Sequence, residues 1–457
     1  MAFTGISSLF DSARGIPGPA RRVVYGAATV AFVYGYDQGS IGGAELYLES
    51  QLGLSPLTKS IVVTAVPVGT LFGALAGGKI ANAIGRKPSM MAIAVGFLVL
   101  SALQGAAVDA WSLTAIRLVL GLVVGVSIVA APQFIAESVT ATIRGSALVT
   151  FQVATVVGLT VSYIVAVALS ATESWRLVLS IGALPGLLAI ALLYNLPDTP
   201  RWYLMKGRRD EALHTLRNAE PDKDPNEQVA AIEQDLRAVE SGRFRQLFRP
   251  PLRKAGVFVV GLGLLVQLTG INAIVYYSPS IMRDVGFKTT SGALLGAAML
   301  QVIGLVAVIV AFLVVDRWGR RPVLMTGIGV MLAANVVMVI AFASGTAQVL
   351  GFIGVALFLI GFQFGWGALV WVYAAESMPA QMRAVGGSVL MAADLFGNIV
   401  IGLFFPNAMA SMGGVWVFAL FFVLSAIAIT FVYRLAPETR YRPLEDIRTY
   451  WEQGGRW

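Results

Sequence analysis

Long apolar runs separated by short polar clusters dominate the chain, and they set its architecture. The pattern predicts twelve membrane-spanning helices, at roughly 23–44, 60–78, 88–108, 111–136, 145–172, 177–197, 255–282, 289–315, 322–343, 347–375, 384–410 and 415–433. Each is near or above the ~20 residues that cross a bilayer. Positions 322–375 hold no Asp, Glu, Lys or Arg but are too long for one crossing, so a turn is expected at Ser344-Gly345-Thr346. The one long polar interruption, 198–254, reads as a cytoplasmic linker with a helical pattern around 209–239. It separates two six-helix halves, 23–197 and 255–433, flanked by an N-terminus at 1–22 and a C-terminal tail at 434–457. The predicted class is an all-α membrane protein.

Composition fits this class. A soluble chain carries about 25% charged residues. Here 13% of 457 residues are charged, 57% are hydrophobic and the mean hydropathy is +0.76. Basic residues then give an orientation. With the N-terminus taken as cytoplasmic, only Lys59, Arg176, Arg283 and Lys288 fall outside, and Arg117 lies within a span; the rest of the 33 Lys and Arg are cytoplasmic. This positive-inside bias accounts for the net charge of +8 without any nucleic-acid role. The expectation is a multi-pass protein of the plasma (cell inner) membrane with both termini cytoplasmic. Residues 1–22 contain Arg14, Arg21 and Arg22 but no apolar core with a cleavage site, so no removable signal peptide is expected. There is no cysteine, hence no disulfide and no thiolate metal site.

The two halves share a repeat. Gly85-Arg86-Lys87-Pro88 recurs as Gly319-Arg320-Arg321-Pro322, Glu137 and Arg144 recur at the same gap as Glu376 and Arg383, and Pro197-Asp198-Thr199-Pro200-Arg201 recurs as Pro437-Glu438-Thr439-Arg440. All three landmarks keep one order and a period of roughly 240 residues, the mark of internal duplication. All lie at cytoplasmic span ends. Parallel six-span halves are the architecture of major facilitator transporters, whose substrate site lies between the halves near mid-membrane.

One carboxylate stands out within the first span, in Tyr34-Gly35-Tyr36-Asp37-Gln38-Gly39. A charge at the centre of a lipid-spanning helix costs ~3 kcal/mol or more, so it normally has a partner. At 1.5 Å per residue, Asp37 lies ~22 Å into a ~30 Å core, and Arg117 of span 4 lies ~21 Å from the same surface. The two are expected to pair. Arginine stays charged, so the pair holds Asp37 ionised, and separation or dehydration on substrate binding favours its protonation. This reading makes Asp37 and Arg117 a proton-coupling couple; the plainer alternative is a static ion pair.

These landmarks, with Asp316-Arg317-Trp318-Gly319-Arg320-Arg321, Gln267-Leu268-Thr269-Gly270-Ile271-Asn272, Tyr276-Tyr277 and Trp202, together resemble the sugar porter family of the major facilitator superfamily, from Tyr34 to Ile447. The resemblance implies a sugar carrier like the bacterial sugar–proton symporters and facilitative glucose transporters. In its proton-coupled members a matching aspartate and arginine carry coupling, and facilitative members have Asn at the aspartate position. It also implies sugar-hydroxyl ligands at Gln152, Gln267, Asn272 and Asn398 and a stacking ring at Trp371. Tyr34, Trp366, Tyr276 and Tyr277 are further aromatic candidates. Amides suit this task because they donate and accept without charge; an alternative for each is interhelical glue. Gly270 is placed to let span 7 bend or break.

Several features depart from the family. Asn82 stands where the second copy of the charged motif has Asp316, so its contact is expected to be weaker or differently partnered. Val266 replaces the first of the two glutamines usual in span 7, removing one contact of the kind that sets selectivity. Asp394 in span 11 lies ~16 Å from Arg383 by helical rise and shares a helix face with Asn398. It is a possible second carboxylate at the cavity, or else a buried acid bonded to neighbouring spans. Tyr441 follows the second tail motif where the family often has Gly.

The cytoplasmic charges Arg86, Glu137, Arg144, Asp316, Arg320, Glu376 and Arg383 are read as a gate. Arg86 and Arg320 can pair with Glu137 and Glu376 when the inner side is closed, and the pairs break as the halves rock apart. The alternative is that they only anchor span ends at the headgroups. Enzyme readings find no support: the single histidine, His214, lies in the linker, and no phosphate-cradling Gly-Lys-Ser/Thr motif appears. The expected activity is proton-coupled symport of a sugar or sugar-like polyol by alternating access. The alternatives are facilitated diffusion without protons and a non-transporting sugar sensor. The partners expected are the sugar, the proton and the lipid bilayer, with no cofactor beyond the coupling proton, and a functional monomer.

Overall fold

The computed structural model describes residues 18–219, 223–238, 244–344, 348–440 and 444–454. The spans are α1 (Gly18–Leu52), α2 (Pro56–Ile84), α3 (Arg86–Gly105), α4 (Ala110–Ser138), α5 (Ala141–Ala168) and α6 (Trp175–Leu193) in the first half. The second half holds α7 (Arg253–Asp284), α8 (Thr290–Trp318), α9 (Arg320–Ser344), α10 (Gln348–Tyr373), α11 (Arg383–Met412) and α12 (Gly414–Leu435). Among the described residues eleven of these are long and apolar enough to cross a bilayer; α1, with Asp37 and Glu45 among its polar residues, is the twelfth. Of the expected turn at Ser344-Gly345-Thr346, Ser344 ends α9 and the other two residues lie outside the described residues, as does Tyr441. Leucines and valines such as Leu184, Leu187, Leu188, Val306 and Val423 are exposed, as expected where lipid, not water, is the solvent.

Local chemistry sets the helix ends. The Asp109 carboxylate accepts from the Ser112 N–H at 2.7 Å in a capping box that starts α4. Ser174 and Thr289 cap α6 and α8 in the same way. The linker forms two amphipathic helices, Arg209–Ala219 and Pro225–Ala238, where the sequence pattern suggested one helical stretch.

Close-packed contacts divide the chain into two compact units. Among the described residues, the first contains those up to 40, 65–162 and from 174 to the end of the linker helices at 238; the second contains 41–64, 163–173 and those from 244 on. The linker alone therefore does not draw the line. The far ends of α1, α2 and α5 pack with the second unit, held by polar contacts described below.

In the first unit α1 and α5 nearly touch. A Cβ on Gly35 would lie 1.8 Å from the Thr155 carbonyl oxygen, and one on Gly158 would lie 2.1 Å from that of Phe32. Only hydrogen fits there. This close approach fixes the stretch of α1 that carries Asp37. Phe97, Leu120, Val124, Ala130 and Phe134 form a buried core beside it.

Gly85 and Gly319 begin α3 and α9 with φ of 110° and 93°. Side chains rarely adopt that backbone. A Cβ on Gly85 would also lie 2.1 Å from Asp198 Oδ2, whereas at Gly319 the nearest atom is Glu438 Oε2 at 2.8 Å, the end of a more flexible chain. Gly85→Ala is therefore expected to lower the thermal midpoint of the purified protein more than Gly319→Ala does. Its cost is about 1–3 kcal/mol of strain plus loss of the carboxylate cap. Equal midpoints for the two variants would show that the Asp198 contact contributes nothing.

Candidate functional site

Asp37 on α1 and Arg117 on α4 are brought together as their depths predicted. Arg117 Nη1 lies 3.6 Å from Asp37 Oδ1, and the same nitrogen donates to Gln104 Oε1 on α3 at 2.9 Å. Both charges are buried, at 4% and 1% exposure. Among the described residues no hydrogen bond of good geometry reaches either Asp37 oxygen. A buried carboxylate with a counter-charge but no well-aligned donor is only partly compensated. Tyr36, beside it, points away and donates to the Val178 carbonyl at 2.8 Å.

In the second unit α7 and α11 carry a chain of amides. Asn272 Nδ2 donates to Gln267 Oε1 at 2.5 Å, and Gln267 Nε2 donates to Asp394 Oδ1 at 2.8 Å. One turn along α11, Asn398 bonds the Tyr276 hydroxyl at 3.2 Å. Asp394 and Asn398 share a helix face, and Asp394 Oδ2 has no hydrogen-bond partner among the described residues. The span-7 break occurs where Gly270 stands, at φ 106°, so Gln267 and Asn272 lie on either side of an interrupted helix and can meet.

The aromatic candidates separate. Trp366 is fully enclosed in a π-helical stretch of α10, Gln363–Gly367, while Trp371 on the following turn keeps 39% exposure. Of the two indoles, Trp371 is the exposed one. Tyr277 is buried, its hydroxyl donating to the Gly402 carbonyl at 3.1 Å and its ring stacked on Phe405. Tyr34 accepts from Gln38 at 3.0 Å, and Gln152 is half-buried on α5 of the first unit.

The charged motifs form the same network twice. Arg86 Nε lies 2.9 Å from Glu137 Oε2, to which the Thr199 hydroxyl donates at 2.6 Å. Arg320 Nε lies 3.2 Å from Glu376 Oε2, to which Thr439 donates at 2.5 Å. Each pair closes inside its own unit, so rigid rocking alone would leave it intact; this modifies the expected breakage, which needs a local rearrangement. Arg144 and Arg383 form no ion pair with these glutamates among the described residues. Asp316 pairs with Arg320 at 3.2 Å. In the first copy, Asn82 instead offers its backbone carbonyl to the Trp202 indole at 3.2 Å.

Sequence reasoning noticed Asp198 and Glu438 only as repeat markers. Each is a helix cap. Asp198 Oδ1 accepts from the N–H groups of Arg86, Lys87 and Thr199 at 3.0, 3.3 and 2.8 Å. Glu438 accepts from Arg320, Arg321 and Arg440 at 3.0, 3.0 and 2.9 Å. A carboxylate at a helix N-terminus meets unpaired N–H groups and the positive dipole end. Burial nevertheless pushes the Asp198 carboxyl above its usual range, with those N–H donors pulling the other way. The spacing between tail motif and Gly-Arg motif carries no signal of this contact, because it joins residues more than a hundred positions apart in sequence.

With this geometry in hand, comparison with known proteins decides the family. A model of the family described as "Sugar (and other) transporter" matches residues 23–451. The chain belongs to the sugar transporter family. This transporter is 30% identical over 430 residues to the galactose-proton symporter of Escherichia coli (strain K12), covering 93% of each chain. It is 30% identical over 420 residues to the glucose transporter GlcP of Staphylococcus epidermidis, covering 91% of this chain and 93% of that one. Its fold matches the xylose transporter XylE from E. coli in a partially occluded inward-open conformation, with a TM-score of 0.81 at 22% identity, over 93% of this chain and 99% of the other. The architecture is the twelve-helix major facilitator fold. The protein is an integral multi-pass membrane transporter and not an enzyme.

Proposed function

We propose that this transporter couples entry of a sugar or sugar-like polyol to entry of a proton, by alternating access, as a monomer in the plasma membrane with both termini cytoplasmic. The observation that carries the coupling is the Asp37–Arg117 pair, buried and 3.6 Å apart, with no hydrogen bond of good geometry to the carboxylate among the described residues. While Arg117 is near, the charges balance. If the two separate in a water-poor site, a bare carboxylate is too costly and the group must take up a proton. The proton is then the switch that allows the loaded carrier to turn. The names of two relatives, proton symporters for galactose and for arabinose, support this reading.

The amide chain on α7 and α11, with Trp371, supports a polyhydroxy substrate. Hydroxyls both donate and accept, as amides do, and the apolar face of a sugar ring can stack on an indole. The free Asp394 Oδ2 is an additional acceptor for a hydroxyl.

The test is uptake into proteoliposomes, with a panel of hexoses, pentoses and cyclic polyols. An outside-acid pH gradient is expected to drive at least one of these above its equilibrium level. Uptake that equilibrates but ignores the gradient would identify a uniporter; binding without uptake would identify a sensor.

A further inference from the structure

α7 is interrupted a second time beyond Gly270. Tyr277 has φ −123° and ψ 18°, and Pro279 follows two residues later. Proline has no N–H, so the Val275 carbonyl four residues earlier loses its helical donor. The Tyr163 hydroxyl of α5 donates to that carbonyl and lies 3.1 Å from Ser278 Oγ. Just past the kink, the Ser280 N–H donates to Glu45 Oε1 of α1 at 2.9 Å. The helices are tight here: a Cβ on Gly42 of α1 would lie 2.1 Å from the Tyr163 oxygen and 2.8 Å from the Val275 oxygen.

Lys59 of α2 closes this junction. Its ammonium lies 2.7 Å from Glu45 Oε2, 2.9 Å from Glu49 Oε2 and 2.9 Å from Ser280 Oγ. An ammonium has three donors, and three acceptors surround this one. Lys59 is 8% exposed and Glu45 1%. All these residues belong to the second unit, and the junction explains why Ile41–Thr64 and Tyr163–Glu173 pack there. A cavity of about 460 Å³ opens beside it, lined by Glu49, Lys59, Tyr277, Ser280, Arg283 and Asp284. Water therefore reaches one side of the cluster.

We propose that Lys59 is a gating residue, the pin of a latch that holds the outer ends of α1, α2 and α7 together and must release for the carrier to open outward. The proposal rests on the transport reading and on its orientation. Its physical basis is the two environments available to the same charges. Closed, Lys59 and Glu45 are buried as an ion pair, 2.7 Å apart. Open, they lose the contacts to Ser280 and gain water instead. Two states of comparable free energy, differing in a few contacts, are what a gate requires. Removing the cation leaves Glu45 buried against Ser280 without its counter-charge, which penalises only the closed state.

The native chain has no cysteine, so a single Ser278→Cys variant reports on this level of α7, where the native serine is fully buried. Labelling by a membrane-impermeant maleimide is measured in right-side-out and inside-out vesicles. In right-side-out vesicles, Lys59→Met is expected to raise the labelling rate about tenfold over the Ser278→Cys parent. Lys59→Arg, which keeps the cation, should stay within about twofold, and Glu45→Gln should accelerate labelling in the same direction as Lys59→Met. Parent-like labelling in Lys59→Met overturns the latch, as does equally fast labelling in Lys59→Arg. If Lys59→Met does not reach the membrane, Glu45→Gln decides by the same criterion. Labelling confined to inside-out vesicles overturns the outer placement. None of these measurements uses a substrate, so failure of the transport reading appears separately, as absence of uptake by the parent protein.

Discussion

Replacing Asp37 by asparagine is expected to abolish accumulation of substrate against its gradient while leaving counterflow exchange within about threefold of the parent. The two side chains have nearly the same shape, and among the described residues no hydrogen bond of good geometry reaches the Asp37 carboxylate. Arg117 keeps its 2.9 Å contact with Gln104. The variant is therefore locked in the uncharged condition that, in the proposed cycle, a proton would otherwise create. The carrier can still turn but has nothing to couple. One charge moved through 100 mV is worth about 2.3 kcal/mol, which corresponds to a concentration ratio of roughly 50-fold for one proton per sugar. That ratio should collapse to unity in Asp37→Asn proteoliposomes under an imposed gradient. Uphill uptake that survives the substitution would remove Asp37 from the coupling step.

The hydrophobic pattern carried the fold because a bilayer demands a simple answer. Backbone groups must be satisfied within each span, so length and apolarity alone mark twelve helices. Depth was legible for the same reason. A fixed rise per residue placed Asp37 and Arg117 at one level before any contact was known, and the structure brings them within 3.6 Å. The break at Gly270 was also readable, since few other residues accept its backbone angle.

Other features depend on what a helix meets. Glu45 falls just past the first predicted span, 23–44, and Lys59 reads only as an outside basic residue. Their meeting requires the kink at Tyr277 and the missing N–H of Pro279, which present Ser280 to both. A second acid eight positions after Asp37, together with an isolated lysine at the start of span 2, was the available signal. The gating pairs show a different limit. The repeat set Arg86 and Arg320 against Glu137 and Glu376, and the structure pairs Arg86 with Glu137 and Arg320 with Glu376. It did not show that each pair closes within one unit, because a duplicated motif is consistent with pairing inside a copy or between copies. Likewise, composition could not separate Trp366 from Trp371: both are indoles on one span, and only packing encloses the first and exposes the second.

Gln267→Ala is expected to have the second large effect, on binding and on stability together. Gln267 both accepts from Asn272 and donates to Asp394. Truncation leaves two buried polar groups without partners, at about 1–3 kcal/mol each, and removes a proposed sugar contact. The Michaelis constant should rise on the order of 10²-fold with a smaller change in turnover, the pattern of lost substrate binding. Loss of thermal stability with an unchanged Michaelis constant would make the amide chain a structural brace and place the sugar elsewhere. Asp394→Asn separates the two roles within the same chain. Its one remaining oxygen still accepts from Gln267, so the brace stays; the charge goes, and the second oxygen is replaced by an NH2 donor. A changed sugar preference in that variant assigns the free Asp394 oxygen to the substrate, because no other contact of the group has been altered.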